Sequence, residues 1–277
     1  MSRHALIAGF ISVFVCSCVV GADWRLVWSD EFDYNGLPDP NKWTYERGFV
    51  RNEELQYYTV GRMENARVEN GVLIIEARQE AWPNPEYDPN APSRQWQRSR
   101  RQAEFTSASI TTKGKAQWTY GRIEVRAKLP SGLGVWPAIW TLGVNIDRVG
   151  WPKCGEIDIM EYVGFEPNTI WANVHMAKYN HMLGTSKGSK IQIPRPYDSF
   201  HLYALEWDKE KLRFYIDDKQ YFQFDNEHGG VDVWPYDEPH YLLLNLAVGG
   251  SWGGQRGVDR SIFPQRFVID YVRVYQR

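Results

Sequence analysis

Short segments of alternating hydrophobic and polar residues, separated by turn-forming residues, run along most of the chain. In the segment 120–129, the apolar side chains Ile123 and Val125 fall on one face, while Arg122 and Glu124 fall on the other. Because side chains alternate between the two faces of a strand, this pattern predicts antiparallel strands with one buried face. Helical periodicity is nearly absent. We therefore expect an all-β sandwich. The other segments with this pattern are 200–207, 212–216, 221–224 and 267–275.

One long segment breaks the pattern. Residues 82–102 are rich in Pro, Asn, Arg and Gln and show no alternation. Such a composition predicts a long surface loop between two strands.

A short acidic segment lies in the middle of the chain, where residues 156–161 read Glu-Ile-Asp-Ile-Met-Glu. Regular alternation puts Glu156 and Asp158 on one face of a strand, but it puts Glu161 on the apolar face of the isoleucines. Burying an ionised carboxylate among apolar side chains is very costly. One extra residue, a β-bulge near Ile159 and Met160, would return Glu161 to the face of the other two acids.

Three carboxyl groups on one face suit acid–base chemistry. Because close carboxylates raise one another's pKa, one can stay protonated while another is ionised. Glycoside hydrolysis needs such a pair, about 5–5.5 Å apart in retaining enzymes and about 6.5–9.5 Å apart in inverting ones. We expect the shorter distance, because the bulge shortens the path between Glu156 and Glu161. The spacing alone also leaves open an exposed acidic strand or a calcium site.

The amino-acid composition limits the classes of ligand that the protein is expected to bind. Aromatic residues make up 15% of the 277 residues, with 13 Trp, which is more than a sandwich core needs. Surplus rings commonly line a surface that binds flat, partly apolar ligands such as pyranose rings. The formal net charge of −2 gives no basic footprint for nucleic acid.

The N-terminus reads as an export signal. A basic start, an apolar run at 5–15 that is too short to span a membrane, and the small residues 20–22 predict cleavage before Asp23. We expect a signal peptide at 1–22 and one domain at 23–277, located outside the cell, in the periplasm or at the cell surface. A lipid anchor at Cys18 is the alternative. Cys154 is then the one remaining cysteine, so no internal disulfide can form.

Several segments in the same order give the chain a resemblance to glycoside hydrolase family 16, in its laminarinase-like branch. The acidic strand matches the longer form of the family signature, which carries the bulge residue. The matching segments are 51–59 (RNEELQYYT), 134–140 (GVWPAIW), 156–161 (EIDIME), 249–254 (GGSWGG) and 270–275 (DYVRVY).

The resemblance implies a β-jelly-roll of two curved antiparallel sheets, the concave one forming a substrate cleft. It implies Glu156 as nucleophile, Glu161 as general acid/base and Asp158 between them, hydrogen-bonded to the nucleophile. It also implies His175 on the neighbouring strand near Glu161, and alternation puts Trp171, Asn173 and His175 on one face. The further substrate-binding residues that it implies are Asn52, Trp136, Trp140, Asn245 and Trp252.

No cofactor is expected for catalysis. Many family members bind one structural calcium on the convex side, and the matching positions here are Glu31, the backbone of Gly71, and Asp270. Oxygen ligands of this kind suit calcium. We also expect a monomer with no membrane span.

The implied function is retaining endo-hydrolysis of β-1,3 or mixed β-1,3/1,4 glucans. Three alternatives stay open: a relative that acts on a galactan of the agarose or carrageenan type, a transglycosylase that uses the same residues, and a glucan-binding protein without turnover. The loop 82–102 bears on the first, because its arginines could close one end of the cleft or favour an anionic glycan. These arginines are Arg94, Arg98, Arg100 and Arg101.

Overall fold

The computed structural model describes residues 24–277, so the predicted signal peptide and the Cys18 anchor lie outside the described residues. Within them, no helix is long and apolar enough to cross a membrane. In chain order the strands are β1 (Arg25–Asp30), β2 (Thr44–Tyr45), β3 (Gln56–Tyr58), β4 (Ala66–Glu69), β5 (Val72–Pro83), β6 (Gln102–Ser107), β7 (Ser109–Thr111), β8 (Gly121–Lys128), β9 (Val135–Gly143), β10 (Glu156–Glu161), β11 (Thr169–His175), β12 (Lys187–Gln192), β13 (His201–Trp207), β14 (Lys211–Ile216), β15 (Lys219–Asp225), β16 (His240–Val248) and β17 (Gln265–Gln276).

The strands form two sheets. A ten-stranded sheet has the order β15-β14-β13-β8-β17-β5-β6-β3, with β1 added at β17 and β4 at β5, and a seven-stranded sheet has the order β12-β11-β10-β9-β16-β7-β2. All strand pairs are antiparallel except β3 with β6. The prediction of an all-β jelly-roll sandwich is confirmed. The parallel pair, in which Gln56 of β3 lies opposite Phe105 of β6, was not predicted.

The predicted alternation accounts for the core. In β8, Ile123, Val125 and Ala127 are buried, whereas Arg122 and Arg126 lie at the surface of the sheet. The apolar faces of the two sheets pack against each other as one continuous cluster. Strands β9 and β16 in the middle of the seven-stranded sheet are buried along their whole length. The side chains on both faces of these two strands are therefore shielded from solvent.

The long loop differs from the prediction in one respect. Strand β5 continues to Pro83, and the segment after it contains a 3₁₀ turn (Ser93–Gln95) followed by one helical turn, α1 (Trp96–Ser99). The aromatic ring of Trp96 packs against Phe49, and this apolar contact stabilises the helical turn in an otherwise polar segment. Two further single helical turns are α2 (Ile146–Val149) and α3 (Gly250–Gly253), and further 3₁₀ turns lie at His181–Leu183 and Arg260–Ile262.

A buried carboxylate joins three strands of the ten-stranded sheet. Glu76 on β5 accepts hydrogen bonds from Arg67 on β4 at 3.1 Å and from Arg266 on β17 at 2.9 Å, and it also pairs with Arg78. The Glu76 side chain is 1% exposed. Because removing one member of a buried ion pair leaves its partners uncompensated, this cluster should matter for stability.

We expect Glu76→Gln to lower the free energy of unfolding by roughly 2–4 kcal/mol, because three guanidinium groups lose their counter-charge. Glu69 provides a matched control. It also pairs with Arg67, but its side chain is 41% exposed, so Glu69→Gln should cost less than about 1 kcal/mol. Urea denaturation of both variants measures the difference, and equal losses would contradict the role given to the buried carboxylate.

Candidate active site

The acidic strand β10 contains the predicted bulge. Asp158 pairs with Trp140 on β9, but the next pair is Met160 with Ile139, so Ile159 is the extra residue. On the other side the register shifts between Asp158 and Glu161, and Glu161 then pairs with Trp171 on β11. The bulge prediction is confirmed. It brings Glu156, Asp158 and Glu161 to the same side of the sheet, where all three line one cleft.

Glu156 is held by polar groups from two directions. The indole N–H of Trp151 donates to Glu156 Oε2 at 2.8 Å. One carboxylate oxygen of Glu156 and one of Asp158 lie within 4.8 Å of each other. Asp158 Oδ2 has no hydrogen-bond partner among the described residues, so the hydrogen bond expected between the two acids stays a prediction. His175 Nε2 lies 3.8 Å from Glu156 Oε1 and 3.3 Å from Asp158 Oδ2. This corrects the expectation for His175: the pairing register puts it opposite Glu156, while Trp171 lies opposite Glu161.

Trp151 was not found by sequence reasoning. It lies in the connection between β9 and β10, outside any strand, so alternation said nothing about its direction. Its ring contacts those of His175, at 5.9 Å between centroids, and His181, at 5.0 Å, and the two histidine rings also contact each other at 5.3 Å. The one available signal was its position five residues before Glu156.

Glu161 has different neighbours. The indole N–H of Trp136 donates to Glu161 Oε1 at 3.2 Å, and Asn173 Nδ2 donates to Glu161 Oε2 at 2.8 Å. Gly188 on β12 leaves room for this amide, because a Cβ there would lie 2.1 Å from Asn173 Oδ1. The shared face of Trp171, Asn173 and His175 was predicted, but the contact of Asn173 with Glu161 depends on the bulge register.

All three acids are shifted toward the protonated form. Burial, followed by the charge of Asp158, raises the pKa of Glu156 well above its usual value, and the Trp151 hydrogen bond opposes this. Burial and the charge of Glu161 raise the pKa of Asp158. Burial also raises the pKa of Glu161, and the hydrogen bonds from Asn173 and Trp136 only partly offset it. These shifts favour a protonated carboxyl group in the cluster, as a general acid requires.

The cleft has a volume of about 510 Å³ and crosses the strands of the seven-stranded sheet. Its floor holds the three carboxyl groups. The wall at the Glu156 end contains Trp151, His181 and Met182. At the Glu161 end, Trp252 makes edge contacts with Trp136 at 5.4 Å and with Trp171 at 5.7 Å between ring centroids. The predicted residue Trp252 thus contacts the ring that donates to Glu161, but it is not among the residues that line the cleft.

The remaining predicted cleft residues lie on the β9 and β16 side. Trp140 and Asn245 line the cleft, and the Trp140 indole N–H donates to Asn245 Oδ1 at 2.7 Å. Asn245 therefore fixes the ring of Trp140. Asn52 lines the cleft in a left-handed conformation with φ 55°. Arg51, which was not predicted, lies with its guanidinium carbon 4.8 Å from the centroid of the Trp140 ring.

The arginines of the segment 82–102 do not point into the cleft. Arg100 donates to the backbone carbonyl groups of Glu53, at 2.9 Å, and of Glu54. Arg98 donates to Asp88 at 3.1 Å. None of the four arginines lines the cleft formed by the described residues. The loop instead supports, from behind, the segment that carries Asn52.

The predicted calcium ligands lie at the surface near β1 and β17. Glu31 accepts two hydrogen bonds from Arg273, at 3.0 and 2.7 Å, and Asp270 pairs with Arg126. Gly71 is in the turn between β4 and β5, at φ 78°. The donor types fit calcium, and in this structure each carboxylate is paired with an arginine that a bound ion would displace. The calcium site stays a prediction, and no step of the chemistry depends on it.

Comparison with known proteins identifies the family. A sequence model described as glycosyl hydrolases family 16 matches residues 53–273. A β-glucanase from Rhodothermus marinus is 48% identical, with 97% of this chain and 93% of the relative covered. The solved laminarinase from the same organism has a TM-score of 0.83 at 51% identity, covering 91% of this chain and 97% of that one. SCLam, a non-specific endo-β-1,3(4)-glucanase, has a TM-score of 0.81 at 45% identity, covering 92% of each chain. The chain belongs to glycoside hydrolase family 16.

Proposed function

We propose that this protein is a retaining endo-hydrolase of β-1,3 or mixed β-1,3/1,4 glucans. The observation that carries the proposal is the row of three carboxyl groups on one bulged strand, two of them buried and Glu156 partly exposed, with different hydrogen-bond partners at its two ends. The relatives described above are a β-glucanase, a laminarinase and an endo-β-1,3(4)-glucanase. An open cleft that crosses the sheet suits an internal segment of a polymer.

The proposed reaction is a double displacement. Glu161 protonates the glycosidic oxygen of the leaving sugar while Glu156 attacks the anomeric carbon, which forms a covalent glycosyl-enzyme. Glu161 then takes a proton from water, and the water oxygen displaces Glu156 from the anomeric carbon. Asp158 lies beside Glu156, and its charge raises the pKa of that carboxyl group. It can therefore adjust the charge on the nucleophile as the ester bond forms and breaks.

Contacts of the described residues argue against two of the functions that the sequence left open, an anionic galactan as substrate and glucan binding without turnover. The case for an anionic galactan depended on the arginines of the loop 82–102, and Arg98 and Arg100 are engaged with protein groups. A glucan-binding protein without turnover would not need Glu161 to be held beside Trp136 and Asn173. Transglycosylation uses the same residues and differs only in the acceptor.

We expect reducing ends to be released from laminarin and from mixed-linkage glucan, but not from agarose or carrageenan. Glu156→Ser removes the attacking carboxylate and should lower kcat by at least about 10⁴-fold while leaving the thermal unfolding midpoint near that of the wild type. Cleavage of a galactan in this panel would keep the mechanism and overturn the substrate. Cleavage by the Glu156→Ser variant at wild-type rates would overturn the assigned nucleophile.

Trp151→Phe should shift the acidic limb of the pH profile. The nucleophile must be ionised, so activity appears as pH rises through the pKa of Glu156. The lost N–H favoured the ionised form, and its removal raises that pKa, moving the acidic limb of kcat/KM up by about one pH unit. Trp24→Phe, which removes an indole outside the cleft, is the matched control. An unshifted limb in Trp151→Phe would contradict this role.

Export and a monomeric state are proposals on sequence grounds. The features at 1–22 support a signal peptide, with lipidation at Cys18 as the alternative. Neither bears on the chemistry of the cleft.

A structural calcium at Glu31, Gly71 and Asp270 is also a proposal, supported by the oxygen donors alone. A bound ion would join the first and last strands, so calcium should raise the thermal unfolding midpoint of the chelator-treated wild type by about 2–4 °C and leave that of Asp270→Asn unchanged. If calcium moves neither midpoint, the ion pairs with Arg273 and Arg126 hold this corner instead.

A further inference from the structure

The half of the cleft that receives the leaving sugar has no assigned binding residues. The enclosed part of the cleft, with Asn52, Trp140 and Asn245, lies on the β9 and β16 side of the catalytic strand. A polymer that is cut in its interior must continue on the other side of β10. That side consists of β11 and then β12, the edge strand of the seven-stranded sheet.

Trp171 is the aromatic residue closest in register to the general acid on that side. It is the pairing partner of Glu161 across β10 and β11. Its ring makes an edge contact with Trp252, which makes another with Trp136, the donor to Glu161. Trp171 is therefore connected to Trp136 through Trp252 by a row of ring contacts, and it lies on the β11 side of the point of cleavage.

Lys190 completes the surface. It pairs directly with Trp171 across β11 and β12, and directly opposed residues share one face of a sheet. Its Nζ lies 4.4 Å from the centroid of the Trp171 ring. Lys190 is exposed, and Trp171 is half-buried.

The indole N–H of Trp171 is unused. Among the described residues, Trp171 Nε1 is buried and has no hydrogen-bond partner. A buried donor without a partner is rare in folded proteins and calls for an explanation. The indole N–H points along the ring plane, so it is separate from the ring face that Lys190 covers. Movement of the flexible Lys190 side chain off the ring would expose that face to a ligand.

We propose that Trp171 and Lys190 form the subsite for the leaving-group sugar, an uncharged β-linked glucosyl residue. The sugar packs its C–H face on the Trp171 ring, as pyranose rings do on aromatic side chains. Lys190 leaves the ring and donates from its ammonium group to a sugar hydroxyl. This inference rests on the proposed function and adds to it the residues that bind the second half of the substrate.

The same subsite selects the acceptor in the second step. A sugar bound there can attack the anomeric carbon of the glycosyl-enzyme with one hydroxyl. The new C–O bond forms as the ester bond to Glu156 breaks, and the hydroxyl proton passes to Glu161. Trp171 and Lys190 should therefore raise transfer to sugar relative to transfer to water.

Two donors separate this subsite from the rest of the cleft. Laminarihexaose has a sugar leaving group that needs the subsite. β-Laminaribiosyl fluoride has a fluoride leaving group that does not, so it reports only donor binding and attack by Glu156. The variants are Lys190→Met and Trp171→Ala, each checked for an unchanged thermal unfolding midpoint.

The matched control is Lys187→Met. Lys187 is on the same strand, but it pairs with the core-facing Val174 and lies over the Tyr179 ring. It should leave both donors unaffected.

We expect kcat/KM for laminarihexaose to fall by about fivefold in Lys190→Met and by about tenfold or more in Trp171→Ala. The rate with the fluoride should stay within about twofold of wild type, and the share of transfer product with added laminaribiose should fall. Lys190→Met keeps the test valid if Trp171→Ala does not fold, because Lys190 is exposed on an edge strand.

Equal losses with both donors, or no loss with either, would overturn the subsite and leave the proposed function intact. A wild-type protein that cleaves neither donor would overturn the proposed function, and the subsite with it.

Discussion

The structure depends on keeping three carboxyl groups together where they repel one another and are largely out of water. Burial and mutual charge raise the pKa of Glu156 and Asp158. A regular strand would have relieved the crowding by turning Glu161 to the other face, into the apolar core. The inserted residue Ile159 prevents this. It keeps Ile159 and Met160 fully buried while Glu161 faces the cleft. One extra residue therefore satisfies the core and the site together.

The surroundings make the two ends of the row unequal. Glu156 receives a hydrogen bond from Trp151, which favours its ionised form, and the charge of Asp158 beside it opposes ionisation. Glu161 is instead held by hydrogen bonds from Trp136 and Asn173. Trp136 also lines the cleft, so the same side chain donates to Glu161 and forms part of the cleft surface.

The position of a side chain could be predicted from the sequence where strand alternation and burial constrain it. It could not be predicted where the path of a loop determines it. The strands and the bulge followed from the conflict between Glu161 and its apolar neighbours. His175 was expected near Glu161, but the regular register that precedes the bulge pairs it with Glu156 at the other end of the row. Trp151 could not be found, because the connection between β9 and β10 sets its direction. The helical turn at Trp96 was missed for a related reason, since its apolar contact, Phe49, is distant in the sequence.

The jelly-roll gives the cleft two different halves. Toward β9 and β16 the floor lies in the middle of the sheet, where Trp140 is fixed by Asn245 and Asn245 by Tyr58, so side chains there are arranged before any ligand arrives. Toward β11 and β12 the sheet ends in an edge strand, where residues such as Lys190 are free to move. A rigid half suits the sugar that must be aligned for attack by Glu156. A more adaptable half suits a product that must leave before water enters, because tight binding there would slow the second step.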